Sequence, residues 1–263
     1  MKKVIALILA ALMLTVCLAG CNQEGTSLAD VKKAGKLVMA TSPDFPPFES
    51  LNADGSVTGI EVEIMELICQ ELGVALEIKQ MSFDSVLPGV QAGKYDVGVS
   101  GITVTEKREK NVLFTTPYCL AAQAIVVLEG SPITCKADLT GKKIAVQSGT
   151  TAESFCMENN YEISPFSANS DAEMALTTGK VAAWVIDDLT AKEMVDAYNA
   201  TNPEVKLVIL DEAMTTEPYA FAFQKGSDDL VKEINSILAK LIADGTIKAI
   251  FDKYDAPYTS PEK

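Results

Sequence analysis

The chain has 263 residues and not one of them is histidine. That absence removes histidine-ligated metal centres, and with them every nucleophilic arrangement in which imidazole is the base for serine or cysteine. Cysteine is sparse. Apart from Cys17 and Cys21 there are Cys69, Cys119, Cys135 and Cys156, at spacings that match no zinc pattern. An exported chain can pair four thiols in three ways, yet a chain this long does not need staples, so buried inert thiols are expected. Positive charge is also short: 22 Lys and Arg against 36 Asp and Glu give a formal net charge of −14. Phosphate chains are bound by Lys and Arg that neutralise them, so nucleic acid is excluded as a partner, and an electrostatic hold on anionic lipid is disfavoured. After the N-terminal stretch no apolar run reaches membrane-span length, and no internal repeat shows in the sequence.

What is present begins with that N-terminal stretch. Lys2 and Lys3 precede an apolar run from Val4 to Leu18, too short for a bilayer span and typical of a secretory signal. The tetrapeptide Leu18-Ala19-Gly20-Cys21 resembles the bacterial lipobox, which is cut before its cysteine. Residues 1–20 are therefore read as a lipoprotein signal peptide. Lipid on Cys21 is expected to anchor the mature chain to the outer face of the cytoplasmic membrane, or to a periplasmic membrane face. Loss of Lys2 and Lys3 takes the net charge from −14 to −16. Small polar residues follow, and residues 21–35 are expected to be a flexible spacer.

Folded sequence is expected from Lys36. "LVMA" (37–40) reads as a strand and "SPDFPPFE" (42–49), with three prolines, as an extended loop. Ile60, Ile64, Leu67, Ile68 and Leu72 keep helical spacing up to Gly73. "VALEI" alternates as a strand, "FDSVLPGVQAG" suits a helix interrupted near Pro88, and "YDVGVS" is a strand again. The rhythm returns later: "KKIAVQ", "YEISPF" and "AAWVI" lead into helices from about Thr151, Asp171 and Asp188. An amphipathic helix through Leu230, Ile234, Ile237, Leu238 and Leu241 and a shorter one through Ile250 and Tyr254 end the chain. Strands alternating with helices of this length imply parallel sheet with right-handed crossovers, and two α/β units are the economical count.

Open α/β sheets bind ligands beyond the carboxyl ends of their strands. Three such ends carry telling residues. After "VGVS", Gly101 lets backbone approach a ligand, Thr103 and Glu106 read as a capping box, and Arg108 lies one turn into the helix. Free amides, a positive helix end and a guanidinium fork suit a carboxylate. "VQSGTTAE" repeats the device with Gly149, Thr150 and Glu153, and the groups of Thr150 and Thr151 form a second anion-friendly cradle. "WVIDD" places Asp187 directly after three apolar residues, where a carboxylate is costly unless a cation meets it. The bland readings are a solvated charge run for "EKREK", plain helix capping for Asp187, and capping boxes without a ligand.

From about Gly35 to Tyr254 the chain resembles the bacterial extracellular solute-binding proteins of family 3, which serve polar amino acid uptake. The resemblance rests on "TSPDFPPFE", "GIEVEIMELICQELGV", "FDSVLPGVQAGKYDVGVSGITVTEKREKNVLFTTPY", "DLTGKKIAVQSGTTAE" and "AAWVIDD", in the family's order. It implies two Rossmann-like α/β lobes of the type II periplasmic-binding-protein fold, joined by a two-segment hinge. Lobe one is expected at 36–120 and 217–263, and lobe two at 121–216 between them. Crossings are expected near Tyr118 to Ala124 and Thr215 to Ala222. The resemblance further implies that Arg108 clamps the α-carboxylate of a free L-amino acid, helped by Gly101, Thr103 and Thr151. Asp187 receives the α-ammonium with groups near Ser100 and Gly101. Phe45 and Phe83 sandwich the side chain, and Gln147 is a contact from the opposite lobe. Ser42 stands where some relatives that favour basic ligands carry an acid, and Ala152 where some carry glutamine. No further Lys or Arg falls at a matched position, so an acidic ligand is not expected, and polar neutral, aromatic and basic side chains stay open. The implied partner is a permease with an ATPase, the protein itself a monomer without cofactor or metal. A cyclohexadienyl dehydratase-like enzyme and a ligand-sensing lipoprotein are the alternatives.

Overall fold

The computed structural model of the protein describes residues 25–212 and 214–261. The signal peptide read at 1–20 and the lipid site at Cys21 lie outside them. The expected spacer does not extend through residue 35, because α1 (Leu28–Ala34) forms there. Ser27 accepts the Asp30 amide while the Asp30 side chain accepts the Ser27 amide, and Gly35 closes the turn at φ 69°. Val31 drives its side chain into the core and is 1% exposed. A capping box plus one buried valine overrides the polar composition.

β1 (Lys36–Thr41) leads into a small antiparallel meander, β2 (Asp44–Phe45), β3 (Glu49–Leu51) and β4 (Val57–Thr58), which takes up part of the expected extended loop. Gly59 turns the chain into α2 (Ile60–Leu72). A Cβ at this glycine would lie 2.1 Å from the Phe48 carbonyl oxygen at φ 144°, so only glycine fits. Then come β5 (Ala75–Gln80), α3 (Phe83–Gln91), β6 (Val97–Gly98), α4 (Glu106–Glu109) and β7 (Val112–Phe114). α3 runs through Pro88, its sixth residue, without the expected interruption, although proline there can donate no N–H to the Asp84 carbonyl.

β8 (Cys119–Ala121) carries the chain out to β9 (Gln123–Leu128). β10 (Lys143–Gln147), α5 (Thr151–Glu158), β11 (Glu162–Phe166), α6 (Asn169–Thr177), β12 (Ala183–Asp187), α7 (Asp188–Thr201) and β13 (Leu207–Ile209) follow. The chain comes back along β14 (Glu217–Tyr219) to β15 (Ala222–Gln224), α8 (Asp228–Ala243) and α9 (Thr246–Lys253). β8 and β14 pair antiparallel, with Glu217 opposite Ala121 and Tyr219 opposite Cys119.

Two five-stranded sheets result, ordered β5-β1-β6-β15-β7 and β11-β10-β12-β9-β13. Each has three parallel strands and then one antiparallel to both its neighbours, β15 in the first and β9 in the second. The sheets are thus mixed rather than purely parallel as expected. β9 and β15 each follow a crossing strand through a short link, so the chain enters each sheet at these strands directly from a crossing. The two lobes share one strand order despite showing no repeat in sequence. Helices cover both sheets, and Leu37, Met39, Ile64, Ile68, Ile234 and Leu238 are fully buried between the first sheet and its helices. Cys69, Cys119, Cys135 and Cys156 are free thiols, and burial pushes Cys69 up to about 11 and Cys156 up to about 12. Among the described residues no helix is long and apolar enough to cross a membrane.

Candidate functional site

The carboxyl ends of β6, β10 and β12 converge where the lobes meet. Beyond β6, Gly101 adopts φ 54°, and a Cβ there would lie 2.6 Å from the Phe45 ring. The Gly101 N–H donates to Glu61 Oε2 at 2.8 Å, so it is not the free donor expected for a ligand carboxylate. Ser100 Oγ donates to Glu49 Oε1 at 2.9 Å and accepts the Ser42 N–H at 3.1 Å.

The capping box expected at Thr103 and Glu106 does not form, and the helix starts two residues later. Thr105 is the cap, its hydroxyl accepting the Arg108 N–H at 3.2 Å, and α4 is a single turn. The cause is tertiary. Thr103 forms a β-bridge with Tyr219, and the Val104 N–H donates to the Pro218 carbonyl at 2.8 Å, so residues 103 and 104 stay extended along β14. Thr103 is left lining the cleft.

Arg108 reaches across the gap. Nη1 donates to the Thr103 carbonyl at 2.8 Å and Nη2 to the Gly149 carbonyl of the second lobe at 3.0 Å. Its guanidinium carbon sits 5.6 Å from the Phe83 ring centroid. Burial lowers its pKa from the ordinary value, while Glu217 and Asp187 oppose that shift. Guanidinium starts so far above neutrality that it remains a cation.

In the second lobe Thr150 caps α5: its Oγ1 accepts the Glu153 N–H at 3.1 Å and donates to the Gln147 carbonyl at 2.7 Å. Glu153 Oε2 accepts from the Gly149 N–H at 2.8 Å, which fixes the turn below Arg108. Thr151 Oγ1 accepts from Gln123 Nε2 at 3.0 Å. Asp187 occupies the cap position of α7 but makes no capping bond. Its carboxylate instead accepts from the Tyr219 hydroxyl, which β14 supplies. Asp187 is 8% exposed. Burial, aided by the charges of Glu217 and Asp188, pushes its pKa up to about 8 against the opposing pull of the Tyr219 hydrogen bond and Arg108.

All ten residues singled out above, Phe45, Phe83, Ser100, Gly101, Thr103, Arg108, Gln147, Thr150, Thr151 and Asp187, line one cleft with Ala152, Asn169, Val185 and Ile186. It holds about 380 Å³ of atom-free space, part of it open to solvent. No ion pair among the described residues joins Arg108 to Asp187. Several contributors were not singled out from the sequence. Asp44 Oδ2 accepts from Gln147 Nε2 at 3.0 Å and from the Asn169 N–H at 2.8 Å, joining the lobes at the cleft's edge. Tyr219 and Glu217 come from β14, Glu217 being buried with Oε2 lacking a hydrogen-bond partner among the described residues. Nothing local marks Tyr219 or Asn169, whose partners are distant in the chain. Asp44 lies in a stretch read only as loop.

Two α/β lobes of matching strand order, linked by paired crossing strands and closing on a cleft with a cation and an acid, define a type II periplasmic-binding-protein fold. The family model for bacterial extracellular solute-binding proteins, family 3, matches residues 37–256, and the chain belongs to that family. It is 30% identical over 231 residues to the L-cystine-binding protein TcyJ of Escherichia coli K12, covering 86% of this chain and 85% of that protein. To the putative ABC transporter arginine-binding protein 2 of the same strain it is 30% identical over 261 residues, 97% of this chain and 99% of the relative. Among solved structures, a mutant of ArgBP from T. maritima superposes with a TM-score of 0.81 at 36% identity, covering 88% of this chain and 99% of that one.

Proposed function

We propose that the chain captures a free L-amino acid between its lobes and delivers it to an ABC-type permease and ATPase complex. The observation that carries the reading is that Arg108 and Asp187 line one cleft without pairing to each other. A zwitterion supplies both missing partners. Arg108 spends two of its five donors on carbonyls, which leaves donors for the α-carboxylate beside Thr103, Thr150 and Thr151. Asp187 receives the α-ammonium, and a cation there restores its ionised form. The Ser100 and Gly101 loop lies beside that group, Phe45 and Phe83 flank the side chain, and Gln147 faces it from the second lobe. Arg108 is the sole cation among the residues lining the cleft, so acidic side chains are disfavoured.

The lobes are residues 36–120 with 217–263 and the inserted 121–216. Closure joins them over the ligand and excludes water, which strengthens both charge contacts. A lipid on Cys21 holds the protein, acting as a monomer, at the outer face of the membrane beside the permease. The relatives are named as binding proteins, and the reading includes no chemical step. A thermal-shift screen against the twenty amino acids tests it, because a ligand that binds only the native state raises the melting temperature. A melting temperature unmoved by every amino acid at millimolar concentration rejects the reading, and ligand returned altered after long incubation replaces it with an enzyme.

A further inference from the structure

Directly behind the cleft lie two carboxyl groups with no cation. Glu49 and Glu61 are both 0% exposed, and neither takes part in an ion pair among the described residues. Glu61 has a donor on each oxygen: Oε2 accepts the Gly101 N–H at 2.8 Å and Oε1 accepts the Tyr118 hydroxyl at 2.5 Å. Glu49 Oε1 accepts from Ser100 Oγ at 2.9 Å, while its Oε2 has no donor among the described residues.

Two adjacent buried carboxylates without a counter-charge cannot both ionise. The oxygen without a donor is where a proton belongs, so Glu49 is the acid and Glu61 the carboxylate. Burial raises both above the usual carboxylate range, Glu49 the further because Glu61 repels its charge.

The geometry of the peptide between Ser100 and Gly101 then has a consequence. It is trans, and in a trans peptide the N–H and C=O point to opposite sides. With the Gly101 N–H drawn back to Glu61, the Ser100 carbonyl is turned the other way, toward the cleft that both residues line. No donor among the described residues reaches that oxygen. A buried acceptor left open in the cleft that Asp187 also lines suits an ammonium group.

We propose that Glu61 is a positioning residue for the ligand's α-ammonium: as a buried carboxylate it pins the Gly101 N–H and thereby aims the Ser100 carbonyl into the cleft, while Glu49 keeps the shared proton and fixes the Ser100 hydroxyl. This rests on the amino acid reading of the cleft. Glu61 touches no ligand itself and acts through one peptide plane.

The test compares wild type, Glu61→Gln and Glu49→Gln in calorimetry with each of the twenty L-amino acids and with the des-amino acid of the same side chain as any that binds. Amide hydrogen exchange at Gly101 is read in parallel. Glu61→Gln is expected to speed exchange at Gly101 and to weaken the amino acid about 10- to 100-fold, with the des-amino acid within about twofold. Glu49→Gln imitates a protonated glutamate and is expected to bind within about threefold of wild type. Equal loss for both ligands means a merely structural role and overturns the proposal, as does unchanged exchange at Gly101. If Glu61→Gln does not fold, Glu49→Gln still decides, because a large loss of affinity there puts the proton in the wrong place. A wild type that binds none of the twenty rejects the cleft reading and this proposal together. Full binding with unchanged Gly101 exchange in Glu61→Gln rejects this proposal alone.

Discussion

Asp187 was legible in the sequence as a charge at the end of an apolar strand, and Arg108 through the resemblance of its stretch to the family. The residues around them were not, because Tyr219 meets Asp187, Asn169 meets Asp44 and Gln147, and Glu61 meets Gly101 only through the fold. Arg108→Ala should weaken amino acid binding by about 2 to 5 kcal/mol, since the ligand carboxylate would be buried without its partner. Calorimetric affinities within a factor of about three of wild type would contradict that role. Asp187 gives a sharper expectation. Without ligand its pKa stands at about 8, so near neutrality it is largely protonated and must release its proton when an ammonium arrives. Affinity should therefore rise as pH climbs from about 6 to about 8 and then level, with proton release detectable in buffers of different ionisation enthalpy. The sign for stability is the reverse. The unfolded acid ionises near its ordinary value and the folded one later, so Asp187 costs the ligand-free protein stability progressively as pH rises through that window. Calorimetry with no proton exchange at about pH 6.5 would mean that Asp187 does not receive the ammonium.

Helices and strands were read with few misses at the level of elements, because periodicity and glycine stops are local signals. α2 ends at Gly73 and α5 starts behind Thr150 as the pattern indicates. Two of the misses come from tertiary pairing. Thr103 has the sequence of a helix cap but is held extended by Tyr219, and the senses of β9 and β15 depend on how the chain enters each sheet. The polar stretch before Lys36 misled in the other direction, since one valine and a capping box suffice to dock it. Thr150 is the cap whose removal tests the second cradle. Thr150→Ala should cost about 0.5 to 2 kcal/mol in urea denaturation. It should also loosen the Gly149 turn that faces Arg108, so ligand affinity falls with it, and a variant as stable and as tight as wild type would remove Thr150 from the cradle.

On the scale of the whole molecule the lobes meet through Asp44, which accepts from Gln147 and Asn169, and through Arg108, which donates to Gly149. These contacts are polar and few, so the shut form is held by a modest margin that a ligand can tip. Adding the right amino acid should reduce the radius of gyration in solution scattering, and Asp44→Ala should enlarge it in the ligand-free protein. Identical scattering curves in all states would refute closure. The division into two units was legible from the alternation of strands and helices, whereas the shared strand order was not, because each lobe acquires its antiparallel strand from a crossing. Those crossings run side by side over three residue pairs, with Ala121 facing Glu217 at the end of the ladder. The whole excursion from one to the other thus leaves and re-enters by the same doorway. A gene segment encoding it is expected to be separable, the scaffold resealing with a short turn, so that one half of the grip on a nutrient becomes exchangeable while the other half stays as it was.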